Sequence, residues 1–384
     1  MSEHASVVVL GGGVVGLSTA YHLARAGVED VVLLERGSLG EGSSCRAAGG
    51  VRAMFTDALN VELGLRSLEA YERFATDLGV DVDLHRVGYL FLVDSDEAMA
   101  AFAAAAPVQR SLGLEVRELS VAETVAASPL VSPDGLVGGV LSPRAGHCTP
   151  ESVVAGYAAG ARRHGARLHT GRAVTGVDVV DGVVTAVRTD AGPIATDTVV
   201  CATGAWSARV AAWAGVDLPV AALRRHVAIT DEVPGLDPAT PFTIEHSSSY
   251  YFHREGAGLL MGLPDRADVW TEDPRRDESW LEDLGEAVER RTPSLAETGI
   301  GIGWAGLYEM SPDHNALIGE ATGPGAPSRF LYATGFSGHG FLMAPAVGEV
   351  VAALVMRRTP PIDVAALSVD RFTTAGARPE LHVV

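Results

Sequence analysis

Residues 7–36, VVVLGGGVVGLSTAYHLARAGVEDVVLLER, constrain the fold of this chain more than any other stretch. Val7–Leu10 is a short aliphatic run, rich in β-branched residues, of the kind that forms a buried parallel strand. Gly11, Gly13 and Gly16 follow as G-x-G-x-x-G. Leu17, Ala20, Tyr21, Leu23 and Ala24 then recur at helical spacing, and Gly27 stops the helix. Val31–Leu34 reads as a second strand, and Glu35 closes it nineteen residues after Gly16. Each part has a task in holding a dinucleotide. Gly11 makes the tight turn, Gly13 lets the backbone approach a pyrophosphate, and Gly16 lets the helix pack on the strand. The helix N-terminus offers free N–H groups and a positive dipole end to phosphates. Glu35 can accept hydrogen bonds from a ribose hydroxyl, and Val15 and Arg36 complete the candidate binding set. NAD and FAD both bind this way, so the rest of the chain has to decide between them.

With 384 residues the chain is long enough for two domains. A net charge of −19 works against nucleic acid and against docking on an anionic membrane, because both would repel it. No apolar run approaches the ~20 residues of a membrane span, and the first one is preceded by Glu3 and His4 rather than by a basic segment. Cys45, Cys148 and Cys201 are odd in number and widely spaced, so neither a disulfide framework nor a zinc site is expected, and no other metal site either. A cytoplasmic location is the expectation. All 29 basic residues are arginine, which excludes Schiff-base catalysis and a lysine general base.

Strand and helix signals alternate through the first part of the chain, with helices expected over 60–78 and 97–112, the latter interrupted at Pro107. A strand is expected at 89–93. From Pro150 a helix leads into short strands at 167–169, 174–180 and 183–189, the last two joined by an Asp181-Gly182 hairpin turn. Thr198–Ala202 then reads as an apolar strand entering Thr203-Gly204-Ala205-Trp206. Strands near 227–229, 250–253 and 259–262 and a helix over 280–290 suit a second unit. Phe330–Ala333 is a strand followed by Gly335-Phe336-Ser337-Gly338-His339-Gly340-Phe341 and an apolar helix over 346–356. The expected fold is α/β: a discontinuous Rossmann-like domain over 1–84, 145–220 and 305–384, and an α+β substrate domain with an antiparallel sheet over 85–144 and 221–304.

The strand–GFSGHGF–helix unit repeats the logic of the opening unit. Reduced flavin carries negative charge near N1 and the C2 carbonyl, which backbone N–H groups and a helix N-terminus would stabilise. Read with GEGSSCRAAGGVR, ATGAWS and GWAGLYEMSPDHNALIG, the chain resembles, over nearly its whole length, the D-amino-acid-oxidase superfamily of FAD-dependent amine and amino-acid oxidoreductases. Within it the resemblance is to the group of sarcosine oxidase β subunit, dimethylglycine dehydrogenase and proline dehydrogenase β subunit.

The resemblance implies an FAD domain, a substrate domain, and oxidation of an amine to an imine. It places Ser43, Ser44 and Arg46 along the flavin and pyrophosphate, Val174 at the adenine, and Gly204 and Trp206 in a second FAD-contacting segment. Gly338, His339, Gly340 and Phe341 would face the isoalloxazine. Tyr308 and Leu342 stand where relatives carry cations for a substrate carboxylate, so that role would pass to Arg52 or Arg254. Leu260 stands where some relatives place a lysine linked to oxygen reactivity, which favours a dehydrogenase. Covalent tethering positions align near Gly306 and Pro150, so non-covalent FAD is expected, with Cys45 as the alternative attachment point. Tyr251 is expected to line the substrate site. His253, Arg224-Arg225-His226 and Asp313-His314 are read as structural.

The expected activity is hydride transfer from a small-molecule primary or secondary amine to flavin N5, followed by imine hydrolysis. The electrons then pass to oxygen or another acceptor. The alternatives are a flavoprotein subunit with a partner, an NAD(P)-dependent dehydrogenase and a non-catalytic dinucleotide sensor.

Overall fold

The computed structural model describes residues 3–323, 325–373 and 376–380. Its first layer is a six-stranded sheet in the order Leu317–Glu320, Phe330–Thr334, Val199–Cys201, Val7–Leu10, Val31–Leu34, Arg167–His169. All neighbours are parallel except Leu317–Glu320, which runs antiparallel to Phe330–Thr334. The period-2 alternation of each strand divides its side chains between two faces. Val7, Val9, Leu33 and Leu331 pack against the helices Val14–Arg25, Pro150–Arg163 and Gly340–Val355. Val8, Leu10, Val32 and Phe330 pack against Val177, Val187 and Ile194 of a four-stranded sheet on the other side. Burial on both faces is why these strands read as unbroken aliphatic runs.

The second large sheet has eight strands, in the order Ile300–Met310, Ala221–Thr230, Gly258–Leu263, Tyr251–Glu255, Phe242–Glu245, Tyr89–Val93, Gly138–Ser142, Arg117–Leu119. The sheet expected as antiparallel contains one parallel pair, Phe242–Glu245 with Tyr89–Val93. One face buries Leu90, Phe252 and Met261 under the helix Trp280–Arg291. The other face turns Tyr89, Phe242 and Tyr251 towards the first layer. Strand Ile300–Met310 runs unbroken across the expected boundary at residue 305, so residues 305–310 belong to this sheet.

Three helices differ from expectation. The helix over 60–78 breaks at Arg73 into Ala58–Glu72 and Phe74–Leu78. Asp96–Ser111 continues through Pro107, whose ring lies on the exposed side. The closing helix starts at Gly340, six residues before the expected Ala346, and carries Pro345 inside it. A proline there cannot donate to the carbonyl of Phe341. The Tyr71 hydroxyl donates to that carbonyl instead, at 2.6 Å, so the chain replaces the lost helix bond with a side chain. The opening and closing helices touch at Gly348, where a Cβ would collide with Ser18. No helix among the described residues is long and apolar enough to cross a membrane.

Tyr71→Phe should destabilise the protein by about 1–3 kcal/mol, because it leaves the buried Phe341 carbonyl unsatisfied. Adding Pro345→Ala restores a backbone donor and should recover most of the loss, read as thermal midpoints of the two variants.

Candidate cofactor and substrate cleft

The parallel register sets Cys201 opposite both Leu10 and Tyr332. The turns that follow these three strands therefore emerge side by side at one edge of the sheet, at 11–13, 202–206 and 335–340. They wall one end of a cleft of about 920 Å³. Gly11 has φ +106°, and a Cβ on it would collide with the Ala202 carbonyl. Gly16 is buried beneath the turn rather than lining the cleft, and a Cβ there would strike the Gly11 carbonyl oxygen. Gly13 has no side chain to cap the opening helix, whose N-terminus faces the cleft. The Glu35 carboxyl accepts from Gly12 N and Gly37 N, both at 2.8 Å. Ser44 Oγ accepts from Val14 N at 2.9 Å. Val15 and Val174 also line this end, and the Arg36 guanidinium stacks 4.0 Å from the centroid of the Trp206 ring beside Gly204.

The 43–50 loop connects the two large sheets. Ser43 Oγ donates to Leu307 O at 2.6 Å, Arg46 Nη1 to Ala305 O at 2.8 Å, and Trp304 Nε1 to Arg46 O at 3.0 Å. Cys45 lies outside the cleft, its sulfur towards Gly40, and burial pushes its thiol up to about 11.

The far wall is aromatic and cationic: Arg52, Tyr89, Arg225, Phe242, Tyr251 and Tyr308. Arg52 is buried, its guanidinium 4.3 Å from the Phe55 ring centroid. It donates to Met54 O and lies 3.2 Å from His339 Nε2. Tyr308 packs over Gly338, where a Cβ would come within 2.6 Å of its ring. Tyr251 packs over Gly262 in the same way. Burial raises the phenols of Tyr251 and Tyr308, so both stay neutral at working pH. Gly340, Phe341 and Leu342 close this end.

Expectations for Arg225, Arg254 and Leu260 need correction, whereas His253, Asp313 and His314 are the structural residues expected. Arg225, read as structural, lines the cleft 5.7 Å from the Tyr308 ring centroid and pairs with Asp268 at 3.1 Å. Arg254, offered as an alternative to Arg52, lies outside the cleft, and so does Leu260, which is buried in the core. His253 is buried between the carbonyls of Arg254 and Ala48, each 2.8 Å from a ring nitrogen, and burial pushes it down to about 4. Asp313 forms a buried pair with Arg371 at 2.8 Å, and His314 turns the chain with φ +60°. Glu309 was missed altogether. It lines the cleft, and burial raises its carboxyl to about 7 against the opposing pull of hydrogen bonds from Thr334, Gly335 and Phe336. Only strand alternation could have pointed to these two, since Arg225 and Glu309 carry no motif.

This donor set fits a dinucleotide. It combines a helix N-terminus that faces the cleft, glycines at Gly11 and Gly338 where a Cβ would collide, and an acidic side chain at the end of the second strand. A model of the FAD dependent oxidoreductase family, DAO, matches residues 6–354. The chain belongs to this DAO family of FAD-dependent oxidoreductases. FAD is its cofactor, and the NAD(P) reading is set aside. The 4-methylaminobutanoate oxidase (formaldehyde-forming) of Paenarthrobacter nicotinovorans is 30% identical to this DAO-family chain over 97% of its length and 46% of the relative's. The chain thus spans about half the length of that relative. Sarcosine oxidase subunit beta of Rhizobium meliloti (strain 1021) is 28% identical over 99% of this chain and 93% of its own. The crystal structure of L-proline dehydrogenase from P. horikoshii superposes with a TM-score of 0.91 at 29% identity, over 98% of this chain and 100% of that one.

Glu35→Ala removes the acceptor that ties Gly12 to Gly37. FAD affinity should fall about 10- to 100-fold, the equivalent of one or two charge-assisted hydrogen bonds, read by release of flavin fluorescence on dilution.

Proposed function

We propose that this chain oxidises a primary or secondary amine of amino-acid or N-alkyl amino-acid type to an imine, which water then hydrolyses. The observation that carries the reading is a buried guanidinium, Arg52, set in an aromatic wall of the same cleft that the glycine turns close. FAD, when bound, would supply the two-electron acceptor for the amine's α-carbon hydride.

In this reading Gly11, Gly13, Val15, Glu35 and Arg36 hold the ADP half, Gly16 packs the helix beneath the turn, and Val174 lies against the adenine. Ser43, Ser44, Arg46, Gly204 and Trp206 hold the middle. Gly338, His339, Gly340 and Phe341 hold the isoalloxazine end. Cys45 is turned away from the cleft, which supports non-covalent binding. Arg52 pairs with the substrate carboxylate, and His339 beside it fixes the guanidinium. Tyr251 and Tyr308, neutral and buried, offer hydroxyl donors and exclude water. An amine bound in its neutral form needs no separate base. With no lysine in the chain, the acceptor of the electrons is read as a carrier other than oxygen.

A second reading is that the chain works as one subunit of a larger assembly. Its support is the relative named as a subunit beta, which it matches over 93% of that chain. Full turnover by the isolated protein would remove the reason for it, and stoichiometric peroxide without an added carrier would identify oxygen as acceptor.

Anaerobic mixing with N-methylglycine, N,N-dimethylglycine, proline or 4-methylaminobutanoate should bleach the flavin absorbance with at least one of them. Failure with all amines and amino acids tested would refute the reading. With a substrate in hand, Arg52→Met should raise KM about 10- to 100-fold for the carboxylate-bearing amine and little for its decarboxylated analogue.

A further inference from the structure

Glu309 is an acid in the cleft that the proposed amine chemistry does not use. Strand Ile300–Met310 turns Tyr308 towards Gly338 and the next side chain, Glu309, the opposite way. Its Oε2 accepts from Thr334 Oγ1 at 2.7 Å and from Gly335 N at 3.2 Å, and its backbone carbonyl accepts from Ser337 N at 3.0 Å. A Cβ on Gly204 would stand 3.7 Å from Oε2, and one on Gly340 3.4 Å from Oε1. The carboxyl therefore lies between two of the three turns that wall the cleft, beside the first residue of the closing helix.

Among the described residues, no arginine or histidine makes an ion pair with it, and the charge balance at the carboxyl is set by burial and three hydrogen bonds. The titratable group facing it from strand Val199–Cys201 is the Cys201 thiol, which burial raises and so keeps neutral. The 203–206 turn brings no titratable side chain. On the 335–340 turn, His339 directs Nε2 at Arg52. Across the sheet, the register partner of Glu309 is Ala222.

We propose that Glu309 takes up one proton from solvent when the FAD of this chain gains two electrons, and releases it on reoxidation. Reduction by hydride adds two electrons and one proton to the cofactor and leaves one net negative charge beside a carboxylate. Like charges in one poorly solvated site raise the proton affinity of the carboxylate, which becomes a neutral acid. The sum is two electrons and two protons per reduction cycle, one proton more than the cofactor takes alone. Burial already raises the carboxyl to about 7, so the window follows from the sign. Below that pH the group already carries its proton in the oxidised protein, and no uptake occurs. Above it the proton is absent before reduction and bound after.

The proposal rests on FAD binding and not on the amine reading, because the test reduces the holoprotein with dithionite. Midpoint potentials of the FAD-loaded wild type, Glu309→Gln and Glu309→Asp are measured between about pH 7 and about pH 9. The wild-type slope against pH should be twice that of Glu309→Gln, and Glu309→Asp should restore it. The reduced-minus-oxidised infrared spectrum of the wild type at about pH 8 should gain a carboxylic-acid C=O band and lose a carboxylate band. This second measurement decides the matter even where Glu309→Gln does not retain FAD. Equal slopes in wild type and Glu309→Gln, or a wild-type spectrum with no carboxylic-acid gain, would overturn the proposal.

Discussion

The parallel pairing of Val7–Leu10, Val199–Cys201 and Phe330–Thr334 is the constraint on which the cleft depends. Three segments separated by more than a hundred residues each share one ladder, and the register places their ends level. A glycine-rich turn after each strand then opens towards the same point, and two of the three turns lead into helices that pack on each other. Because the strands are buried on both faces, a shifted register would strand aliphatic side chains and unpaired backbone groups together. The cleft thus inherits its position from the best-packed part of the molecule. Gly11 and Gly338 stand where a Cβ would meet a neighbouring backbone and a neighbouring ring.

The eight-stranded sheet supplies the aromatic wall of the cleft, and hydrogen bonds tie it to the cofactor side. Arg46 donates to the Ala305 carbonyl and accepts from the Trp304 indole across the junction, and Ser43 binds the carbonyl before Tyr308. Through these contacts the 43–50 loop serves both walls at once. The electrostatics of the far wall follow from burial. Arg52 sits among aromatic rings, where a cation is costly to desolvate and correspondingly responsive to an anionic partner. Glu309, on the same strand as Tyr308 but facing the other way, brings the opposite charge to the glycine turns. One strand therefore contacts both the substrate side and the cofactor side.

Much of the first layer was legible in the sequence because its physics is local. A β-branched run bounded by glycines can be read without knowing its neighbours, and strands 167–169, 174–180 and 183–189 lie where the pattern put them. The hairpin turn at Asp181-Gly182 has positive φ at both residues, as that dipeptide predicts. Misreadings occurred where a distant partner altered a local preference. The helix expected to begin at Ala346 begins at Gly340 because Tyr71, far away in sequence, takes over the Phe341 carbonyl that Pro345 cannot bind. Phe242–Glu245 pairs parallel to Tyr89–Val93 because the chain returns to that strand after a long excursion, which no local signal records. Arg225 read as part of a basic cluster, yet alternation sends it into the cleft while Arg224 turns to Asp265 and Asp277.

The sequence by itself determined a dinucleotide-binding framework, with glycine-rich turns after strands near both ends of the chain. Backbone geometry at glycine and the periodicity of buried strands are written residue by residue, so these conclusions needed no third dimension. Only the tertiary structure decided which of 29 arginines enter the cleft, that Arg254 and Leu260 do not, and that Glu309 faces the glycine turns. The reason is that side-chain chemistry in a cleft depends on register and sheet order, which depend on contacts between residues remote in the chain. A one-residue change in where a strand starts would reverse every such assignment.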